Sequence, residues 1–395
     1  MYANEEARAS MYSTQFWLLC LSNFLFSASF QMLIPELPDY LSSLGGAEYK
    51  GYLIGLFTLT AGISRPFSGK LADTIGRVPV MVFGTLVCVV CGLAYPMMMT
   101  VGGLLLLRTL HGFSTGFKPT ATSAYISDIA PVAQRGEAMS IAAISAGLGM
   151  SFAPPVGSWI AQQYGMNVLF YTSTVLALGS IVILTRGLYE TLPDRQPFRW
   201  SLLRMSRKDL FEPAVMGPFV VTLLVSFSSG VAITLTPDLS KGLGLSNKGI
   251  FFLVSTLAAL LVRVVAAKSS DRRGRLPVLL VSAAGLAVSL GWLGAGQDTP
   301  SFILASLLYG ASWGVMTPTL QAWTIDLSTA DNRGRALATM YIALEAGIGL
   351  GAWTSAWLYH NEAARMGISF YLAGGLALLA MGYLARKQQS ANSLA

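Results

Sequence analysis

Runs of about twenty apolar residues follow one another along this chain, separated by short polar turns. A helix rising 1.5 Å per residue needs about 20 residues to cross ~30 Å of hydrocarbon. Scanning for runs of that length gives twelve spans, at 14–35, 50–69, 79–99, 101–127, 137–162, 167–185, 214–236, 248–267, 276–296, 301–326, 336–359 and 366–385. The pattern predicts an all-α integral membrane protein with twelve transmembrane helices and little chain left for a soluble domain. The first run has no small-residue cleavage site behind it and reads as a retained span rather than a secretory signal; Met1–Ser10 is left out of the fold reasoning.

Composition agrees. Asp, Glu, Lys and Arg make up 11% of the residues, against about 25% in an ordinary soluble domain, while 53% are hydrophobic and the mean hydropathy is +0.58. Of the 26 Lys and Arg, Arg65, Arg108, Lys118 and Arg263 fall inside spans, and Lys50, Lys241, Lys248 and Arg365 fall in the loops of one side. The other 18 lie on the side that holds both termini, which the positive-inside rule places in the cytoplasm. The net charge of +7 is that asymmetry and calls for no nucleic acid or acidic partner. Cys20, Cys88 and Cys91 all sit in apolar runs and read as structural.

The chain is written twice. GKLADTIGRVPV, Gly69 to Val80, returns as AKSSDRRGRLPV, Ala267 to Val278, with Lys70, Asp73, Gly76, Arg77 and Pro79 matched at an offset of 198 by Lys268, Asp271, Gly274, Arg275 and Pro277. The same offset carries Arg65 to Arg263, Gly116 to Gly314, Asp128 to Asp326, Arg135 to Arg333, Gly149 to Gly347 and Trp159 to Trp357. The expected domains are therefore two pseudo-symmetric six-helix bundles, 1–185 and 214–395, joined by a polar cytoplasmic linker, 186–213, able to lie on anionic headgroups. Duplicated halves facing one another are a secondary-transporter layout, with the binding site near midplane.

The motifs resemble the major facilitator superfamily, and within it the twelve-span drug/proton antiporters. The superfamily signature between the second and third spans, Gly-x-Leu-Ala-Asp-Arg-x-Gly-Arg-basic, is matched by Gly69, Leu71, Ala72, Asp73, Gly76 and Arg77, with departures at Thr74 and Val78. The pattern Arg-x-x-Gln-Gly appears as Arg108-Thr-Leu-His111-Gly112, and the antiporter signature of the fifth span appears as GMSFAPPVGS, Gly149 to Ser158. The resemblance implies a cytoplasmic latch of Gly69, Asp73, Gly76, Arg77 and Asp128, which holds the outward-open state. It also implies a central cavity lined by spans one, four, seven and ten.

The residues give physical content to these expectations. On span five, Gly149, Ala153 and Gly157 recur every four residues, offering a face for close helix approach, and Pro154 and Pro155 remove backbone donors and bend the helix. Gly347, Gly351 and Ser355 repeat that face on span eleven. On span four, Arg108, His111, Thr115, Lys118, Thr122 and Tyr125 fall within an arc of about 100°. A charge at mid-span costs at least ~2.5 kcal/mol on insertion scales, so this stripe should face water, a counter-charge or an anionic ligand. The matching positions of span ten include Tyr309, Trp313 and Trp323, so one half presents cations and the other aromatics. Asn23, Ser27 and Gln31 on span one and Thr222, Ser226 and Ser229 on span seven add polar groups. The expected substrate cavity is thus Asn23, Gln31, Arg108, His111, Lys118, Tyr125, Ser226, Trp313 and Trp323. Glu345, deep in span eleven, is the first candidate for proton coupling and His111 the second.

The expected function is proton-coupled efflux of a small amphipathic molecule, anionic or zwitterionic, or of drugs, by alternating access in a bacterial inner membrane. Its partners are substrate, protons and membrane lipids, with no nucleic acid, and the protein is expected to be a monomer. No metal cluster, nucleophile–base pair or phosphate loop is visible, so the sequence predicts neither an enzyme nor a bound cofactor. The alternatives are an exporter of one metabolite, such as a sugar, siderophore or lipid-like molecule, and a membrane receptor on a transporter scaffold. A receptor usually needs a partner-binding domain, and the largest loop, 186–213, is about 28 residues.

Overall fold

The computed structural model describes residues 13–131, 135–204, 211–266, 273–296, 298–328 and 333–392, and no strand occurs among them. Twelve long helices follow the predicted spans: α1 Thr14–Gln31, α2 Lys50–Ile75, α3 Arg77–Ala94, α4 Val101–Ile129, α5 Arg135–Tyr164, α6 Met166–Val182, α7 Met216–Gly242, α8 Ile250–Ala266, α9 Arg275–Ala295, α10 Thr299–Asp326, α11 Arg333–Tyr359 and α12 Met366–Asn392. A short helix, Leu37–Ser43, follows α1. Among the described residues eight of the long helices are apolar and long enough to cross a membrane; the exceptions are α1, α2, α4 and the shorter apolar α8. Buried polar side chains explain much of this: α4 carries Arg108, His111 and Lys118, all enclosed, and needs fewer apolar residues toward lipid.

Local chemistry sets the helix ends. Ser13, Thr100 and Asp298 accept the main-chain N–H of Phe16, Gly103 and Ser301, capping α1, α4 and α10. Gly76 and Gly274, matched in the repeat, precede α3 and α9 with φ of +121° and +85°, a region in which a side chain is strained. The two glycines are thus demanded by the turn itself.

The chain divides into two compact units, Met1–Ile34 with Thr60–Ser206 and Pro35–Leu59 with Arg207–Ala395. One boundary, Ser206 to Arg207, falls within the 186–213 linker read from the sequence, while Pro35–Leu59, including the first part of α2, groups with the second unit. There Gly51 lies so close to Ala352 and Ala356 of α11 that a Cβ would collide with them. Lys50 pairs with Asp238 at 2.7 Å, and Lys248 pairs with Glu36 and Asp39 at 2.8 Å each.

Within the first unit, α1 packs on α5 and α6, and α3 on α4 and α6; within the second, α7 packs on α11 and α12, and α9 on α10 and α12. The predicted small-residue faces lie inside the units: a Cβ on Gly149 would come within 2.5 Å of the Phe24 carbonyl of α1, and one on Gly347 within 2.5 Å of the Leu223 carbonyl of α7. Gly157 and Gly351 are blocked in the same way by Met32 and Phe227, so the seams join helices of one unit. The segment after α6 does not hang free. Gln196 N–H donates to the Thr74 carbonyl at 2.8 Å, and Lys70 Nζ donates to the Arg204 carbonyl at 2.7 Å.

Candidate functional site

Three polar assemblies stand out, two in the first unit and one in the second. The first surrounds the α2–α3 turn. Arg77 donates from Nη1 to Asp73 at 2.8 Å and from Nε to Asp128 at 3.1 Å, bringing together the acid, base and acid of the repeated motif. Asp128 also accepts from the Thr191 hydroxyl at 2.6 Å. The start of the next helix is met by Glu190, its two oxygens accepting the N–H groups of Arg77 and Val78. A carboxylate at the N-terminus of α3 faces the positive end of its dipole. Asp326 and Arg275 repeat the pair at 2.9 Å in the second unit, while Asp271, Lys268, Ala267 and Arg272 lie outside the described residues.

The second assembly is the α4 stripe. Four of its side chains are enclosed: Arg108, His111, Lys118 and Tyr125 are all 0% exposed. It divides into separate contacts. His111 lies between the Tyr95 hydroxyl, 3.0 Å from Nδ1, and the Cys88 thiol, 3.3 Å from Nε2, while Arg108 donates to the same Tyr95 at 3.5 Å. Lys118 donates to the Ser22 carbonyl at 2.8 Å and to the Ser22 and Ser180 hydroxyls at 3.0 Å each, with the Phe26 ring centroid 4.5 Å away. Tyr125 bonds Gln15 and the Tyr189 carbonyl near the end of α4. Thr122 donates to Asn23 at 3.4 Å, and Gln31 is buried on α1. The partners of Lys118 all belong to its own unit. Glu345 is buried in α11.

The third assembly lies among α7, α10 and α11. Trp313 Nε1 donates to the Ser229 hydroxyl at 2.6 Å, and that hydroxyl lies 3.1 Å from the Tyr309 hydroxyl. Beside them is a small cleft with about 10 Å³ of internal room, walled by Thr222, Ser226, Trp313, Thr317, Leu320 and Met340. The buried hydroxyls of Thr222 and Ser226 have no hydrogen-bond partner among the described residues. The cleft has room for about one water, so a ligand bound between these walls must widen it. Trp323 is separate from it and packs on Gly217, where a Cβ would come within 3.0 Å of the ring.

Sequence reasoning missed Glu190, Tyr95, Ser22 and Ser180. The last two carried a signal, since they are hydroxyls in apolar spans whose repeat partners are apolar. Glu190 carried none, because nothing local marks a linker acid as a helix cap.

The comparisons with known proteins agree with this architecture. The family model described as Major Facilitator Superfamily matches residues 19–246 and 218–393. The chain is 28% identical over 334 residues to the multidrug resistance protein MdtG of Salmonella arizonae and 27% identical over 334 residues to that of Citrobacter koseri, covering 81% of each chain in both cases. Among solved structures, a D-xylose–proton symporter superposes with a TM-score of 0.77 at 18% identity, covering 94% of this chain and 96% of the other. The human organic anion transporter MFSD10 does so with 0.73 at 18% identity, covering 94% and 99%. With duplicated bundles, the repeated Asp–Gly–Arg turn and a family match across nearly its whole length, the chain belongs to the Major Facilitator Superfamily and is an integral membrane transporter rather than an enzyme.

Proposed function

We propose that this transporter expels small amphipathic molecules from the cytoplasm in exchange for protons, by alternating access, as a monomer of the bacterial inner membrane with both termini inside. The observation that carries the substrate reading is the cleft in the second unit, where Trp313 and the unbonded hydroxyls of Thr222 and Ser226 meet apolar walls. Such a lining selects by stacking and a few hydrogen bonds, which suits compounds with an aromatic body. Arg108 and Lys118, the reason for expecting an anionic or zwitterionic substrate, are enclosed in the first unit, so the aromatic cleft is the better guide.

Export rather than uptake is supported by the fifth-span signature and by the multidrug resistance proteins to which the chain is similar. Inside orientation of the termini is supported by the basic bias of the loops. Asp73, Arg77 and Asp128, joined by Glu190, act as the cytoplasmic latch in this reading. Glu345 and His111 are its first candidates for carrying the coupled proton.

A thermal-shift screen of amphipathic compounds, followed by counterflow in proteoliposomes with and without a pH gradient, tests the proposal. Binding of aromatic amphiphiles, counterflow without a gradient and accumulation against one when a gradient is applied are the expected results. Counterflow that ignores the gradient would remove proton coupling, and binding without any counterflow would favour a receptor.

A further inference from the structure

The duplicated chain contains its own control for the buried lysine. Gly149 packs on Phe24 and Ser27 just as Gly347 packs on Leu223 and Ser226, which sets an offset of 199 between α1 and α7. Gly116 meets the Ala61 carbonyl as Gly314 meets that of Ala259, fixing 198 between α4 and α10. The pairs Phe170–Tyr171 and Phe370–Tyr371 fix 200 between α6 and α12, and both phenylalanines are fully buried. By these registers Ser22, Lys118 and Ser180 correspond to Val221, Met316 and Ala380. All six are 0% exposed. One copy of the fold therefore fills these sites with apolar side chains, and the other fills them with an amine and two hydroxyls. Packing does not require the polar set, and burying an amine in a bundle core is costly unless its hydrogen bonds are met.

We propose that Lys118, held by Ser22 and Ser180, is a proton-binding site of the transport cycle, an inference that rests on the proton-coupled reading above. As an ammonium it has three N–H donors and three oxygen acceptors in reach: the Ser22 carbonyl and the two hydroxyls. Release of one proton to water that reaches the site during the transport cycle breaks one N–H bond, forms hydronium and leaves an amine whose lone pair accepts from either serine, since each hydroxyl can turn to donate. The same partners thus satisfy both states. The Phe26 face adds a contact made only to the cation. No carboxylate among the described residues pairs with Lys118 to fix its charge. Cys88 is the titratable group that faces it from α3, α1 and α6 present Ser22, Phe26 and Ser180, and its own helix carries Arg108 and His111. Because the site ties α1, α4 and α6 together, changing its charge rearranges bonds among three helices of one bundle.

The test uses Lys118→Met, which installs the side chain of the second copy, and Lys118→Arg, which keeps the charge permanently. Each is purified, its melting temperature followed from pH 5 to 9, and its transport of ethidium measured in proteoliposomes. A titration step in the wild-type stability profile should vanish in both variants, and gradient-driven ethidium transport should fall to that of empty vesicles while counterflow persists. Ser180→Ala, the conservative change, should move the step along the pH axis without abolishing it. Gradient-driven transport by Lys118→Met with an unchanged pH profile would overturn the site and leave proton coupling standing. A wild type indifferent to the gradient would remove both.

Discussion

Glu190 accepts the main-chain N–H of Arg77 at 2.9 Å with one carboxylate oxygen and, with the other, the N–H of Val78 at the same distance. A segment 113 residues further along the chain therefore caps the start of α3 and adds a negative charge at its positive end. Removing a capping oxygen costs ~0.5–2 kcal/mol. Glu190→Gln keeps one acceptor and loses the charge, so its melting temperature should fall by less than that of Glu190→Ala, as followed by differential scanning fluorimetry in detergent.

Asp73 behaves differently. Its side chain is 69% exposed although it pairs with Arg77, and an exposed pair contributes ~0–1 kcal/mol. Asp73→Asn should therefore leave folded, membrane-inserted protein with a nearly unchanged melting temperature while transport is abolished. Full activity in that variant would remove the latch. The equivalent change at Asp271 should be milder, a difference that proteoliposome transport measures directly.

The pairs around Lys248 should make stability pH-dependent. Burial pushes the Asp39 carboxyl up, but the hydrogen bonds and charges of Lys248 and Lys241 outweigh it and hold the group below its ordinary value. For Lys248, burial pushes the ammonium down, and its bonds to Asp39 and Glu36 outweigh it and raise the group. The Asp39 contribution is present above the ordinary carboxylate value of ~3.9 and is lost as pH falls through its lowered value. The Lys248 contribution is present below ~10.4 and is lost as pH rises through its raised value. A melting-temperature profile should decline at both ends, and Lys248→Met should lower the whole range between them.

Gly157 and Gly147 share α5 and differ in surroundings. A Cβ on Gly157 would collide with the Met32 carbonyl, whereas one on Gly147 meets nothing within 4 Å. Gly157→Ala should destabilise the protein by several degrees, and Gly147→Ala should leave it unchanged or slightly stabilised through helix propensity of up to ~1 kcal/mol. Equal effects at the two positions would remove the close-packed seam as the cause.

Much of the fold was legible because a span announces itself over twenty residues, and the helix starts lie within a few residues of the predicted limits. The Asp73–Arg77–Asp128 cluster was legible because a repeated motif carried it. A helical wheel established that Arg108, His111 and Lys118 share a face, but a wheel cannot say which neighbour that face meets, and Ser22 and Ser180 are 96 and 62 residues from Lys118. The packing of Pro35–Leu59 with the second unit was hidden for the same reason, since Glu36 and Lys248 are 212 residues apart and no local periodicity joins them.

The glycine seams also bear on how the two halves diverged. In each, backbone touches backbone at matched positions, through Gly149 and Phe24 in one copy and Gly347 and Leu223 in the other. Spacing is thus the inheritance both copies have kept, and interior chemistry is what they were free to rewrite. A duplicated bundle with a fixed ruler between its helices can exchange a methionine for a lysine and acquire an electrostatic role without redesigning its frame.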